Sequence, residues 1–180
     1  MLDQVKIIAR NELAHLYFFD ESGMSTVPNV QRAGSPRGMP YCADASGYRK
    51  RVNILGALNY AANTFTHVLH ESSGKRPQVG DYIDRLVMQH IDSEPIIVVL
   101  ANASVYRNID REKIDKWLYK HRLILVYPTP YSPELNPIEI LRKLAKSHWR
   151  KFTIWAQEDL LHEVSEIFQR HSNKFEIRYA

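Results

Sequence analysis

Three positions in this 180-residue chain stand where chemistry gathers in an α/β protein, beyond the carboxyl ends of buried strands. Asp20 follows the apolar run Ala14 to Phe19, and Ala101, with Asn102 behind it, follows Ile96 to Leu100. Glu139 lies one turn into a helix that leaves the proline-rich stretch Tyr127 to Pro133. Carboxylates in such places are hard oxygen donors, the ligands that divalent cations of the magnesium type take. Each also has a plainer role when taken alone. Asp20 with Glu21, Ser22 and Gly23 is a turn signal, because an Asp side chain bonds its own backbone two residues on. Glu139, three residues after Asn136 and just past Pro137, completes a capping box.

Basic residues follow Glu139 at Arg142, Lys143, Lys146, Arg150 and Lys151. Helical periodicity places Lys143, Lys146 and Arg150 along the face that carries Glu139, where they form either a solvated surface or a row of phosphate contacts. A smaller basic group occurs at Arg49, Lys50 and Arg51. His67 and His70 fall on opposite faces of a strand and have structural roles. The single cysteine, Cys42, makes neither an internal disulfide nor a multi-cysteine zinc site, which suits a reducing compartment. Gly74-Lys75 lacks the flanking residues of a phosphate-binding loop, so no nucleotide cofactor is expected.

The elements that must position these residues follow from hydrophobic period. Leu2 to Glu12 has helical spacing, and strands are predicted at Ala14–Phe19, Arg51–Leu58, about Thr64–Leu69, Ile96–Ala101 and Leu123–Val126. Ile96 to Ala101 does not alternate, as expected for a strand covered on both faces. Further helices are predicted over Asp81–Ile91, Ile109–His121, from Asn136-Pro137 onward, and over Gln157–His171. Met24 to Gly47, with Pro28, Gly34, Pro36, Gly38 and Pro40, receives no regular element. The order predicts one α/β domain over residues 1–180, a mixed sheet flanked by helices. A hydrophobic fraction of 44% and a charged fraction of 24% exclude a wholly disordered chain. No apolar run approaches the roughly 20 residues of a membrane span, so no membrane partner is expected. A net charge of +4 leans towards a polyanionic partner, though less than a dedicated DNA-binding domain would.

Tyr131-Ser132-Pro133-Glu134-Leu135-Asn136-Pro137-Ile138-Glu139 resembles the signature around the third acidic residue of D-D-E transposases of the mariner superfamily, in particular its bacterial insertion-sequence branch. Asp20-Glu21-Ser22-Gly23, Arg51 to Ala57, and Ala101-Asn102-Ala103-Ser104-Val105-Tyr106-Arg107 support it, in the family's order. The resemblance implies a ribonuclease H-like fold and metal-dependent cleavage and joining of DNA, with transposon ends and target DNA as partners and a possible homodimer. It further implies two Mg²⁺ or Mn²⁺ ions, with Asp20 bridging both and Glu139 holding one. Arg107, Lys143, Lys146 and Arg150 become candidate DNA contacts. Family members carry helix-turn-helix modules ahead of this domain, and none is expected in residues 1–180. The implied location is the bacterial cytoplasm, at the nucleoid.

The chain departs from the family at one decisive place: the second catalytic aspartate is Ala101. The spacing from Ala101 to Glu139 is close to the family's, so the alignment is not shifted. A methyl group cannot hold a cation, and neutral Asn102 or Ser104 oxygens compensate poorly for two divalent charges. Two origins fit: a deliberate replacement that traps an inactive form, or natural decay. Tyr106 in place of a histidine, and Arg142 where the family commonly has tryptophan, favour decay. Strand cleavage is expected to be impaired or absent. The alternative is a catalytically dead remnant that still binds DNA or protein.

Overall fold

Side-chain alternation along one long strand organises the molecule, of which a computed structural model describes residues 2–26, 37, 51–70, 76–91, 93–100, 109–127, 138–149 and 157–174. That strand, β1 (His15–Ser25), sits at the centre of a five-stranded sheet with β2 (Arg51–Asn59), β3 (Phe65–His70), β4 (Ile96–Leu100) and β5 (Leu123–Val126). The strand order is β3-β2-β1-β4-β5. β1 pairs antiparallel with β2, and β2 with β3, while β1–β4 and β4–β5 are parallel. Five described helices flank the sheet: α1 (Leu2–Arg10), α2 (Arg76–Met88), α3 (Arg111–His121), α4 (Ile138–Trp149) and α5 (Gln157–Lys174). This is the mixed sheet with flanking helices expected from the sequence.

The period of two along each strand divides the core in two. Leu16, Phe18 and Met24 of β1, with Val52, Ile54 and Leu58 of β2, pack against Ala9 of α1, Ile138 of α4, and Leu160 and Phe168 of α5. Tyr17 and Phe19, with Leu55, Ala57, Val98 and Leu100, pack against Val79, Ile83 and Leu86 of α2 and Trp117 of α3. β4 is buried at every position, as its unbroken apolar run requires. Burying a side chain of the size of Phe18 contributes about 1.5–3 kcal/mol, so both layers supply substantial stabilisation.

Polar ties fix the second layer. The Tyr82 hydroxyl donates to the Thr66 carbonyl at 2.9 Å and lies 2.8 Å from the Thr66 hydroxyl, joining α2 to β3; burial pushes its pKa up to about 12. The Trp117 indole N–H donates to Asp84 Oδ1 at 2.6 Å, and Lys113 Nζ meets Asp84 Oδ2 at 2.8 Å, joining α3 to α2. Burial works to raise the Asp84 pKa, but the Lys113 and Trp117 hydrogen bonds and the Lys113 charge outweigh it, and the carboxyl is held below its ordinary value.

Several boundaries differ from the sequence reading. Asp20-Glu21-Ser22-Gly23 is not a turn: β1 runs through it, pairing Asp20 with Gly56 and Ser25 with Arg51. Pairing with β2 overrides the local turn preference, and a Cβ at Gly23 would fall 2.8 Å from Arg51 Cζ, so the guanidinium lies where that side chain would be. α2 begins at Arg76 instead of Asp81 because Pro77 occupies its first turn, where an N–H has no intrahelical partner. Gly80 lies within it, 2.8 Å from Lys113 Nζ at its would-be Cβ, which admits the lysine of α3. The helix stops at Met88, and Ile91, expected on its apolar stripe, is 99% exposed. α3 starts at Arg111, with Asp110 as N-cap accepting from the Glu112 N–H at 3.2 Å. The predicted Asn136-Pro137 start of α4 lies outside the described residues. No helix among the described residues is long and apolar enough to cross a membrane.

Candidate functional site

β1 outlasts β4. The parallel pairing ends at Phe19 with Leu100, so Asp20 is the first residue of β1 beyond its parallel neighbour while still paired with Gly56 on the other side. Asp20 therefore stands at the carboxyl end of β4, the position at which open α/β sheets place function. It is 9% exposed. Along its face of β1 the sequence alternates Leu16, Phe18, Asp20, Ser22, Met24, so Asp20 and Ser22 are polar interruptions of an otherwise apolar stripe.

Around Asp20 the opposing helices and strands form a small cavity of about 20 Å³, partly open to solvent, lined by residues that include Asp20, Ser22, Ile54, Gly56, Phe65, Ile138 and Phe168. Gly56 is required there. A Cβ on it would lie 2.7 Å from Phe65 Cε2 and closer still to Cζ, so the bare backbone lets the Phe65 ring cover β2 beside Asp20. Phe65 stacks on His67 at 5.7 Å with the rings nearly parallel, and Phe168 of α5 packs on both, at 4.7 Å and 5.2 Å. Burial lowers the His67 pKa from its ordinary 6.5. His67 is thus part of the wall, in keeping with its expected structural role.

Ile138, 4% exposed, carries α4 into the same cavity, and Glu139 is the next residue, half-buried in the first turn. Consecutive Cα atoms are about 3.8 Å apart, so the docking of Ile138 brings the backbone of Glu139 to the rim of the Asp20 cavity. The packing of α4 on β1 brings together two segments more than a hundred positions apart in sequence. Lys143, exposed, and Lys146, half-buried, continue along α4 from Glu139. Ala101, Arg107 and Arg150 lie outside the described residues, Ala101 following directly on Leu100.

The donor set can be tested against divalent cations. Asp20 and Glu139 supply carboxylate oxygens, the correct chemistry for Mg²⁺ or Mn²⁺. Among the described residues no three His, Cys, Asp or Glu side chains gather where they could hold a metal ion. Asp20 and Glu139 have the donor chemistry that such a cation takes, and the position from which the resemblance would draw a third carboxylate is Ala101.

A larger cleft of about 410 Å³ opens at the other pole, lined by residues that include His90, Glu94, Lys120, His121 and Arg122. It adjoins Ile96, at the amino end of β4, the length of that strand (roughly 13 Å) from the carboxylates. Lys120 and His121 occupy the last turn of α3, where they offset the negative end of the helix dipole. The His90 ring stacks on His15 at 4.0 Å and its Nε2 bonds the Tyr17 hydroxyl at 2.8 Å. These pairings give His90 a structural role in the cleft wall.

Sequence reasoning did not find Ser22, Phe65, Ile138 or Phe168 as parts of the site. The signal for Ser22 was available, since it shares Asp20's strand face once β1 is carried through Gly23. The aromatic wall had no local signal, because Phe65 and Phe168 meet only through tertiary packing.

The family model described as DDE superfamily endonuclease matches residues 15–162. Comparison with curated proteins returns no match. Among solved structures, the chain is similar to a pre-cleavage Mos1 transpososome, with a TM-score of 0.64 and 15% identity, covering 97% of this chain and 57% of the other. The Mos1 mariner paired end complex with Mn gives 0.62 and 13%, covering 97% and 56%. A simian T-cell lymphotropic virus intasome gives 0.50 and 10%, covering 88% and 49%. At such identities the likeness is one of fold, the ribonuclease H-like fold of transposase and integrase catalytic domains. The chain spans 57% of the length of the first of these structures. With the matched region running from the start of β1 into α5, the chain belongs to the DDE superfamily endonuclease family.

Proposed function

We propose that this domain is the cleavage and strand-transfer unit of a bacterial insertion-sequence transposase, working in the cytoplasm at the nucleoid, and that Ala101 leaves its metal site one carboxylate short. The observation that carries the reading is that Asp20 and Ile138, the residue before Glu139, line one cavity at the carboxyl end of β4. Crystal forms of the Mos1 paired end complex with Mn and with Mg support divalent metal use in similar proteins.

Asp20, held by pairing with Gly56 and by the Phe65 wall, presents its carboxylate from a rigid strand. Glu139 presents its own from the first turn of α4, anchored by Ile138. When bound, divalent cations would supply activation of the attacking oxygen and charge stabilisation of the leaving oxygen in an in-line displacement at phosphorus. Lys143 and Lys146, with Arg107 and Arg150, would contact backbone phosphates of transposon-end and target DNA, each contact steepening the salt dependence of binding. The methyl group of Ala101 adds nothing to the donor set, so cleavage is impaired.

The test is Ala101→Asp, assayed with the DNA-binding part supplied, for Mg²⁺- or Mn²⁺-dependent nicking or joining of transposon-end DNA. Activity from the revertant and not from the parent is the expected result. A well-folded, inactive revertant counts against the reading. Ala101 itself favours one alternative, a dead domain that binds DNA or assembles with an active transposase as a dimer. That reading predicts DNA retention and co-assembly unchanged by Glu139→Gln, and a change in either contradicts it.

A further inference from the structure

The Ser22 hydroxyl is buried and has no hydrogen-bond partner among the described residues. It sits two residues beyond Asp20 on the same face of β1 and lines the same cavity. A buried hydroxyl left in this condition costs free energy of the order of a lost hydrogen bond, so the molecule gains if something satisfies it. Its neighbours do not. Among the described lining residues, Ile54, Gly56, Phe65, Ile138 and Phe168 present apolar side chains or none to the cavity, and Asp20 is the one other polar side chain.

The cavity measures about 20 Å³. A single water needs about 10–15 Å³ on the same measure, together with at least two polar partners. The space admits a water, and two polar side chains among the described lining residues meet the minimum. We infer that a water bridges the Ser22 hydroxyl and the Asp20 carboxylate, which makes Ser22 a positioning residue for Asp20. The hydroxyl donates to the water, and the water donates to the carboxylate. The carboxylate is then held in part from the Ser22 side of the cavity. Partners behind a ligating carboxylate tune metal affinity in this way, and their loss typically costs about 10–100-fold. The effect on metal rests on the metal-site reading above, whereas the water itself does not.

Two measurements decide it. A crystal structure of the chain at atomic resolution is expected to show one water within hydrogen-bond distance of both Ser22 Oγ and the Asp20 carboxylate. An empty cavity, or a Ser22 hydroxyl bonded directly to protein, overturns the inference. Titration of Mn²⁺ into the Ala101→Asp protein with and without Ser22→Ala is expected to show about a tenfold weaker affinity in the double variant, at an unchanged melting temperature. Equal affinities overturn the positioning role. If the Ala101→Asp protein takes up no Mn²⁺ at all, the metal-site reading fails, and the crystal structure still decides the water.

Discussion

Replacing Gly56 by alanine adds one methyl group at the point where β2 lies under the Phe65 ring. That methyl carbon would sit 2.7 Å from Phe65 Cε2 and closer to Cζ, well inside contact distance. The ring cannot move freely, since His67 stacks on it and Phe168 packs at 4.7 Å. Overpacking of this kind costs about 1–3 kcal/mol. Alanine gives back about 0.4–1 kcal/mol by restricting the unfolded chain, which leaves a net loss of roughly 1–2 kcal/mol. Urea unfolding should show it as a midpoint lowered by about 0.5–1 M at an unchanged slope, taking a slope near 2 kcal/mol/M. Phe65→Leu removes the ring atoms that clash, so the two substitutions together should cost less than their sum by about 1 kcal/mol or more. A neutral Gly56→Ala, or strictly additive effects, would refute the packing argument and with it the account of how Asp20's wall is built.

Other consequences are equally direct. His67 has a lowered pKa, so its contribution to stability is complete above pH 6.5 and is lost as pH falls from there through the folded-state value; the decline should disappear in His67→Phe, measured by thermal melts from pH 7 to 5. Asp84, also lowered, contributes fully above about pH 3.8 and loses its contribution as pH falls further. Because its side chain is 38% exposed, Asp84→Asn, which keeps an acceptor for the indole, should cost under about 1 kcal/mol. Asp84→Ala removes that acceptor and should shift Trp117 fluorescence; an unchanged spectrum in Asp84→Ala would contradict the indole hydrogen bond. Glu12 holds a left-handed φ of 59° at the end of α1, so Glu12→Gly should be stabilising by about 0.5–1 kcal/mol in urea titrations. A loss of stability there would show that the Glu12 side chain carries a contact that outweighs the strain.

Sheet and helices were legible where burial is uniform or strictly periodic. Ile96 to Leu100 is apolar without alternation, and it is the strand buried on both faces. Leu123 to Val126 emerged with the expected bounds. Asp20 and Glu139 stand out in the sequence because each follows an apolar run or opens a helix, and because the surrounding residues resemble a known family. The course of β1 beyond Phe19 was misread for a physical reason: Asp, Ser and Gly favour turns locally, whereas the pairing of Asp20 through Ser25 with β2 is a long-range fact. The cavity, its aromatic wall and the unmatched Ser22 hydroxyl depend on that pairing and on the docking of α4 and α5. No local pattern encodes them.

Divalent metal uptake tests the central claim most directly. Isothermal titration of Mn²⁺ into the chain and into its Ala101→Asp variant should show at least a tenfold gain in affinity for the variant, a gain removed by either Asp20→Asn or Glu139→Gln. Equal affinity in chain and variant, or a gain that survives the loss of Asp20, would contradict the assignment of these three positions to one metal site.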